Sequence, residues 1–129
     1  MKRYWILSLL SLLLAWNCQQ QNPGSQVEGK GKFTLVYYAI PKCSNCARVQ
    51  ATLESIQKRY PQTFHLIVLS TASKEGKTDL KMYRLGSHGL LIFNNDQLLK
   101  AVPGHFLTDS YIHHLLDSIR LTLPMEAQR

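Results

Sequence analysis

Hydrophobic and polar positions follow two different periods along this chain. Phe33 to Ile40 (FTLVYYAI) is continuously apolar, rich in β-branched and aromatic residues, and of strand length. That is the pattern of a strand buried on both faces. Pro41 ends it. From Cys43 onward, Cys46, Val49, Leu53, Ile56 and Tyr60 recur at helical spacing until Pro61, which predicts a helix beginning at Cys43. Phe64 to Leu69 (FHLIVL) predicts a second buried strand. Ser70 to Lys77 is polar and is expected as a connection, with Thr78 or Asp79 capping a short helix through Leu80, Tyr83 and Leu85. Gly86-Ser87-His88-Gly89 is a turn, and Leu90 to Phe93 a third strand. Asn94-Asn95-Asp96 is a hairpin turn, and Leu98 to Val102 a fourth strand. Beyond Pro103-Gly104, Thr108 caps a last helix with Ile112, Leu115, Leu116 and Ile119 on one face, closed by Pro124.

The first strand, helix and second strand make a βαβ crossover, which requires a parallel pair covered by helices. The later hairpin adds antiparallel strands, so the expected class is α/β with a mixed sheet of about four strands. At 129 residues the chain accommodates one such domain, placed at 32–123, with a frayed tail at 124–129.

Residues 1–18 have the character of an export signal. Lys2 and Arg3 precede twelve mostly apolar residues from Trp5 to Trp16, too few for a membrane span of roughly twenty. The segment ends in Leu14-Ala15-Trp16-Asn17-Cys18 and resembles a bacterial lipoprotein signal, although Trp16 and Asn17 replace the usual small residues. The resemblance implies lipidation at Cys18, a protein exported to the cell envelope, and anchoring to a bacterial membrane facing the periplasm. Ordinary signal cleavage and an uncleaved anchor are the alternatives. Residues 19–31 are polar, with Pro23, Gly24, Gly29 and Gly31, and suit a flexible tether.

Charge narrows the partners. The chain carries a formal +7; without Lys2 and Arg3, 13 basic residues face 8 acidic ones. The excess is scattered, with no basic run and no interleaved aromatics, so nucleic acid is not implied. Cysteine count adds more. Three cysteines in an exported chain leave one over, and consumption of Cys18 by lipid leaves Cys43 and Cys46 as a pair.

Cys43-Ser44-Asn45-Cys46 stands where a buried strand gives way to a helix, and the order of elements around it resembles the thioredoxin family. The later segment Leu90 to Leu98 (LLIFNNDQL) is similar to that family's apolar strand, turn and returning strand. The resemblance covers most of the chain after residue 31 and implies a thioredoxin-like three-layer sandwich. It also implies a thiol–disulfide oxidoreductase in which Cys43 attacks and Cys46 resolves. Substrates would be protein or small-molecule thiols and disulfides, with a partner that recycles the pair and no cofactor. The chemistry is sensible locally. A helix N-terminus favours a thiolate, and Lys42 adds a full positive charge beside Cys43. A purely structural staple is a poor use of this pair. Closing four residues stabilises by about 1.9 kcal/mol in the chain-entropy estimate, against about 3 for fifteen.

Three positions depart from the family. The turn before the third strand, where thioredoxins carry a cis-proline, holds His88, or Gly89 if the turn is one residue shorter. The buried acid of the first strand is replaced by Tyr37. The aromatic residue before the nucleophile is Lys42. With the loop Pro103-Gly104-His105 expected nearby, two thiolates and two imidazoles (Cys43, Cys46, His88, His105) define an alternative, a metal-binding or metallochaperone site. A thioredoxin-fold interaction domain with an inert disulfide is a third reading. His65 is expected as a core histidine, and His113 and His114 as surface residues. Asp79, Asp96, Asp109 and Asp117 fall singly on different elements, so paired-carboxylate chemistry has no support.

Overall fold

The computed structural model describes residues 32–122. The export segment 1–18 with Cys18, the tether at 19–31 and the tail from 123 lie outside the described residues. The elements run β1 (Phe33–Ala39), α1 (Ser44–Arg59), β2 (Phe64–Ser70), α2 (Lys74–Met82), β3 (Gly89–Asn94) and β4 (Gln97–Pro103). A 3₁₀ turn (Gly104–Phe106) and α3 (Asp109–Leu121) complete the order.

The sheet order is β2-β1-β3-β4, with β1 and β2 parallel and the β1–β3 and β3–β4 pairs antiparallel. Phe33, Leu35 and Tyr37 share one sheet face with Leu90, Ile92 and Val102, and they pack under α1 and α3 in the main core. On the opposite face Tyr38 and Leu91 pack with Leu85 and with Leu80 of α2. The Tyr38 hydroxyl donates to Asp79 at 2.7 Å and fastens α2 to the sheet. Three layers result: α1 and α3, the mixed sheet, and α2. This is the expected thioredoxin-like α/β architecture.

α1 forms because its apolar residues fall on one stripe. Cys46, Val49, Leu53 and Ile56 are buried against the sheet. Leu53 is fully buried, and its truncation to Ala would cost about 2–5 kcal/mol. Thr52 on α1 donates to the Asp109 carboxylate at 2.9 Å, tying α1 to the start of α3. Thr108 caps α3 as expected, its hydroxyl accepting the Tyr111 N–H at 3.2 Å.

Several expectations need correction. The short helix begins at Lys74, not near Thr78, and its cap is Ser73, whose Oγ accepts the Gly76 N–H at 2.9 Å. Thr78 and Asp79 sit inside it. Gly76, inside this helix, permits close approach, since a Cβ would collide with the Ser70 carbonyl. β2 is an edge strand among the described residues and is only half buried over most of its length, His65 included. Its continuous apolar run reflects packing on both faces, not a central place in the sheet. The 3₁₀ turn after β4 was not expected.

Candidate active site

The segment from β1 to α1 is built to present Cys43. The Cys43 N–H donates to the Ile40 carbonyl at 3.3 Å, closing a turn around Pro41 and Lys42. Lys42 has φ +60°, in the left-handed region. Proline followed by a positive φ is the pattern of a type II turn. The turn swings the chain from the end of β1 directly into α1, with Cys43 as N-cap in extended conformation.

Cys43 and Cys46 are joined by a disulfide with Cα atoms 5.2 Å apart. Cys43 Sγ also accepts the Cys46 backbone N–H at 3.1 Å, so the sulfur serves as the helix cap. No acidic residue occupies the first turn of α1, while Lys58 and Arg59 close its far end. The exposed N–H groups and partial positive charge of the helix are therefore left to the Cys43 sulfur, where they favour a thiolate once the pair is reduced. Lys42 is exposed and immediately precedes it.

The two sulfurs have different surroundings. Cys43 is partly exposed and Cys46 is buried, at 1% exposure. Cys46 belongs to the main core with Leu35, Tyr37, Val49 and Leu53. The Tyr37 hydroxyl, itself fully buried, donates to the Cys46 carbonyl oxygen at 3.4 Å. Burial pushes the Tyr37 phenol up to about 12, so it stays neutral. An open groove of about 590 Å³ runs along the cysteine pair. Ile40, Pro41, Ala47, Val68 and Leu69 make its apolar wall, and Lys42, Gln50 and Ser70 its polar rim.

His88 and His105 behave differently from the metal-site alternative. The His88 ring packs onto Gly104, and the Gly104 N–H donates to the His88 carbonyl at 2.9 Å. His105 is exposed and stacks on Phe106 with ring centroids 4.0 Å apart. Among the described residues no three His, Cys, Asp or Glu side chains gather as a metal-holding group. Cys43, Cys46, His88 and His105 are therefore not brought together as a ligand set. Gly89 lies in β3, paired with Pro103, with its backbone against Val102 and Leu85.

Two features of the site go beyond the sequence reading: the place of Val68 in the groove wall and the left-handed backbone of Lys42. Val68 shares the Tyr37 face of the sheet through the β1–β2 register, a placement that strand alternation alone does allow. The left-handed Lys42 had its own signal in the preceding Pro41.

No protein-family model and no curated protein matches the chain. Solved structures do. Oxidised thioredoxin from Plasmodium falciparum is similar with a TM-score of 0.56 at 14% identity, covering 70% of this chain and 84% of that one. Mitochondrial thioredoxin 3 from Saccharomyces cerevisiae gives 0.56 at 12% identity, covering 70% and 81%. The thioredoxin f2 complex with ferredoxin:thioredoxin reductase gives 0.57 at 14%, covering 73% and 84%. The fold is thioredoxin-like, and at its helix-capping turn it carries a disulfide-bonded cysteine pair.

Proposed function

We propose that this protein is a thiol–disulfide oxidoreductase in which Cys43 attacks and Cys46 resolves. One observation carries the reading. Cys43 caps α1 beside Lys42, on an open groove, with its partner Cys46 buried behind it. A staple needs neither the exposed sulfur nor the groove; a nucleophile needs both. The thioredoxin-like fold supports the same reading. Attack by the Cys43 thiolate on a substrate disulfide forms a mixed disulfide and releases one substrate thiol. Attack by Cys46 then closes Cys43–Cys46 and releases the second thiol, so two electrons leave the protein. The reverse sequence oxidises a substrate dithiol.

Substrates of this reading are polypeptide or small-molecule thiols and disulfides, with a separate redox partner recycling the pair. The test is turnover of a model disulfide such as insulin with a chemical reductant. Activity lost in Cys43→Ser, and not in a surface variant such as Lys81→Ala, supports the reading. Wild-type protein no faster than reductant alone would overturn it.

The site of action we propose is the cell envelope, with the Cys18 thioether as membrane anchor. Supporting it are the apolar run Trp5–Trp16 behind Lys2 and Arg3, and the spare cysteine at its end. Fatty-acid labelling of wild type, absent in Cys18→Ala, tests it. Unlabelled protein with an N-terminus downstream of Cys18 would refute it.

A further inference from the structure

Val68 lies on the core face of the sheet but outside the core. Strand alternation puts Leu66 and Val68 of β2 on the face under α1, paired with Leu35 and Tyr37 of β1. Leu66 packs against the main core, whereas Val68 stays outside it with 37% of its surface exposed. Ala47 of α1, also exposed, lines the same groove, and Ile40 and Pro41 follow at the end of β1. Both cysteines line it too, and Lys42 is the one charged side chain along it among the described residues. No residue of β3, β4 or the turn around His88 takes part. The groove therefore opens on the β2 side of the cysteine pair, away from β3.

The occupant follows from the chemistry of Cys43, and so rests on the oxidoreductase reading above. Whatever becomes bonded to the Cys43 sulfur brings the atoms around its own sulfur into this groove. An amino-acid-sized thiol with free ammonium and carboxylate groups meets an apolar wall and a single lysine there. A cysteine within a polypeptide has neither charge on its backbone, and an apolar neighbour in its chain takes Val68 out of water. We propose that the groove seats a polypeptide substrate, with an apolar side chain near its reactive cysteine packed on Val68 and Ala47, and an acidic group of the same segment facing Lys42. Val68 and Lys42 are then specificity-determining residues. Burying one leucine-sized side chain supports a rate preference of about tenfold or more. The exposed charge pair supports about threefold, fading as salt is added.

The experiment reacts the reduced full chain with short capped peptides whose central cysteine is a mixed disulfide with thiopyridine, and follows thiopyridone release by absorbance. The Cys43 sulfur bonds to the peptide sulfur, the peptide–pyridyl S–S bond breaks, and thiopyridine leaves with the electron pair. Cys46 then closes Cys43–Cys46 and frees the peptide thiol. One peptide series moves a leucine through the positions flanking the cysteine in a glycine-serine background, and a second exchanges aspartate for lysine. Rates are taken above those of Cys43→Ser and divided by those of a small reference thiol. Their ratio between peptides is compared within each protein, so a change in the Cys43 thiol itself cancels. We expect the best leucine peptide to exceed both the leucine-free peptide and the pyridyl disulfide of free cysteine by about tenfold. Val68→Asp should bring that ratio toward one, the isosteric Val68→Thr should lower it, and Leu99→Gln, at an exposed site on β4, should keep it. Lys42→Gln should remove the preference for aspartate over lysine. A leucine preference that survives both Val68 changes would seat the substrate elsewhere and overturn the proposal, as would free cysteine matching the best peptide. So would a wild type that sediments as a dimer and becomes monomeric in Val68→Asp, which gives the groove to a second copy. Release from wild type no faster than from Cys43→Ser with every substrate is a separate result: it removes the oxidoreductase reading itself, and this inference with it.

Discussion

The His88 ring lies so close to Gly104 that a Cβ at residue 104 would fall within the imidazole. The Gly104 N–H also donates to the His88 carbonyl at 2.9 Å, so the turn before β3 and the turn after β4 are locked together. His88 Nδ1 is 3.0 Å from the Ser87 hydroxyl, and Nε2 is buried without a partner. This imidazole therefore packs between the two turns.

Gly104→Ala should destabilise the protein by about 1–3 kcal/mol, as overpacking forces the ring or the turn aside. His88→Ala removes the ring and makes room. The double variant should accordingly be more stable than the sum of the single losses predicts, by about 1 kcal/mol or more. Urea denaturation of the four proteins measures this. Additive losses would mean that the contact does not limit residue 104.

Alkaline pH should expose the cost of burying two phenols. Tyr37 is raised to about 12 by desolvation. Tyr38 is raised further, first by desolvation and then by the Asp79 carboxylate that accepts its hydrogen bond. In the unfolded chain a tyrosine ionises near pH 10. Below that value both states are protonated and the neutral phenols contribute their full stability. Between about pH 10 and 12 the unfolded chain loses protons that the folded chain keeps, so stability falls as pH rises. Tyr37→Phe should flatten this fall by on the order of 2 kcal/mol, seen in urea midpoints compared with wild type across that window. Parallel curves would place the Tyr37 phenol in contact with water.

How much of this is legible in sequence follows from where the signals are local. The strand-to-helix junction at Cys43, the Thr108 cap and the β3–β4 hairpin all depend on neighbours within four residues, and each is found as expected. Hairpin closure at Asn95 is an example, since Asn tolerates the φ of +51° found there. The start of α2 is not legible in the same way. Gly76 inside a polar run looks like a loop until the Ser70 carbonyl is seen to need its missing Cβ. The edge position of β2 depends on which strands pair, which no local pattern records. The packing of the His88 ring against Gly104, sixteen residues on, is likewise a contact that no local pattern records.

Lys42 carries two properties that mutation can separate. Its φ of +60° is costly for a residue with a Cβ, while its charge favours the Cys43 thiolate. Lys42→Gly should gain up to about 1 kcal/mol from relief of the backbone, less the added freedom of the unfolded chain. The same change should raise the Cys43 thiol pKa toward the free value of about 8.5, read from alkylation rate against pH. Lys42→Arg should leave both nearly as they are. A stable Lys42→Gly with an unmoved Cys43 profile would assign thiolate activation to the helix terminus alone.

The cap role of Cys43 gives a last test that is independent of catalysis. In the oxidised chain its sulfur accepts the Cys46 N–H at 3.1 Å. No other first-turn side chain of α1 caps the helix, and that turn has no acidic residue to substitute. Loss of the acceptor leaves the N–H unpaired at the mouth of a groove where water is its only recourse. Cys43→Ser keeps an oxygen at nearly the same place, so it should lose only the disulfide. Cys43→Ala loses the disulfide and the cap. The two variants should differ by about 1 kcal/mol in urea denaturation, within the usual 0.5–2 kcal/mol range for N-caps. Reducing agent should bring wild type down toward Cys43→Ser and leave both variants unchanged. If Ser and Ala are equally stable, the sulfur's contact with the Cys46 N–H is a consequence of the disulfide and contributes nothing of its own to α1.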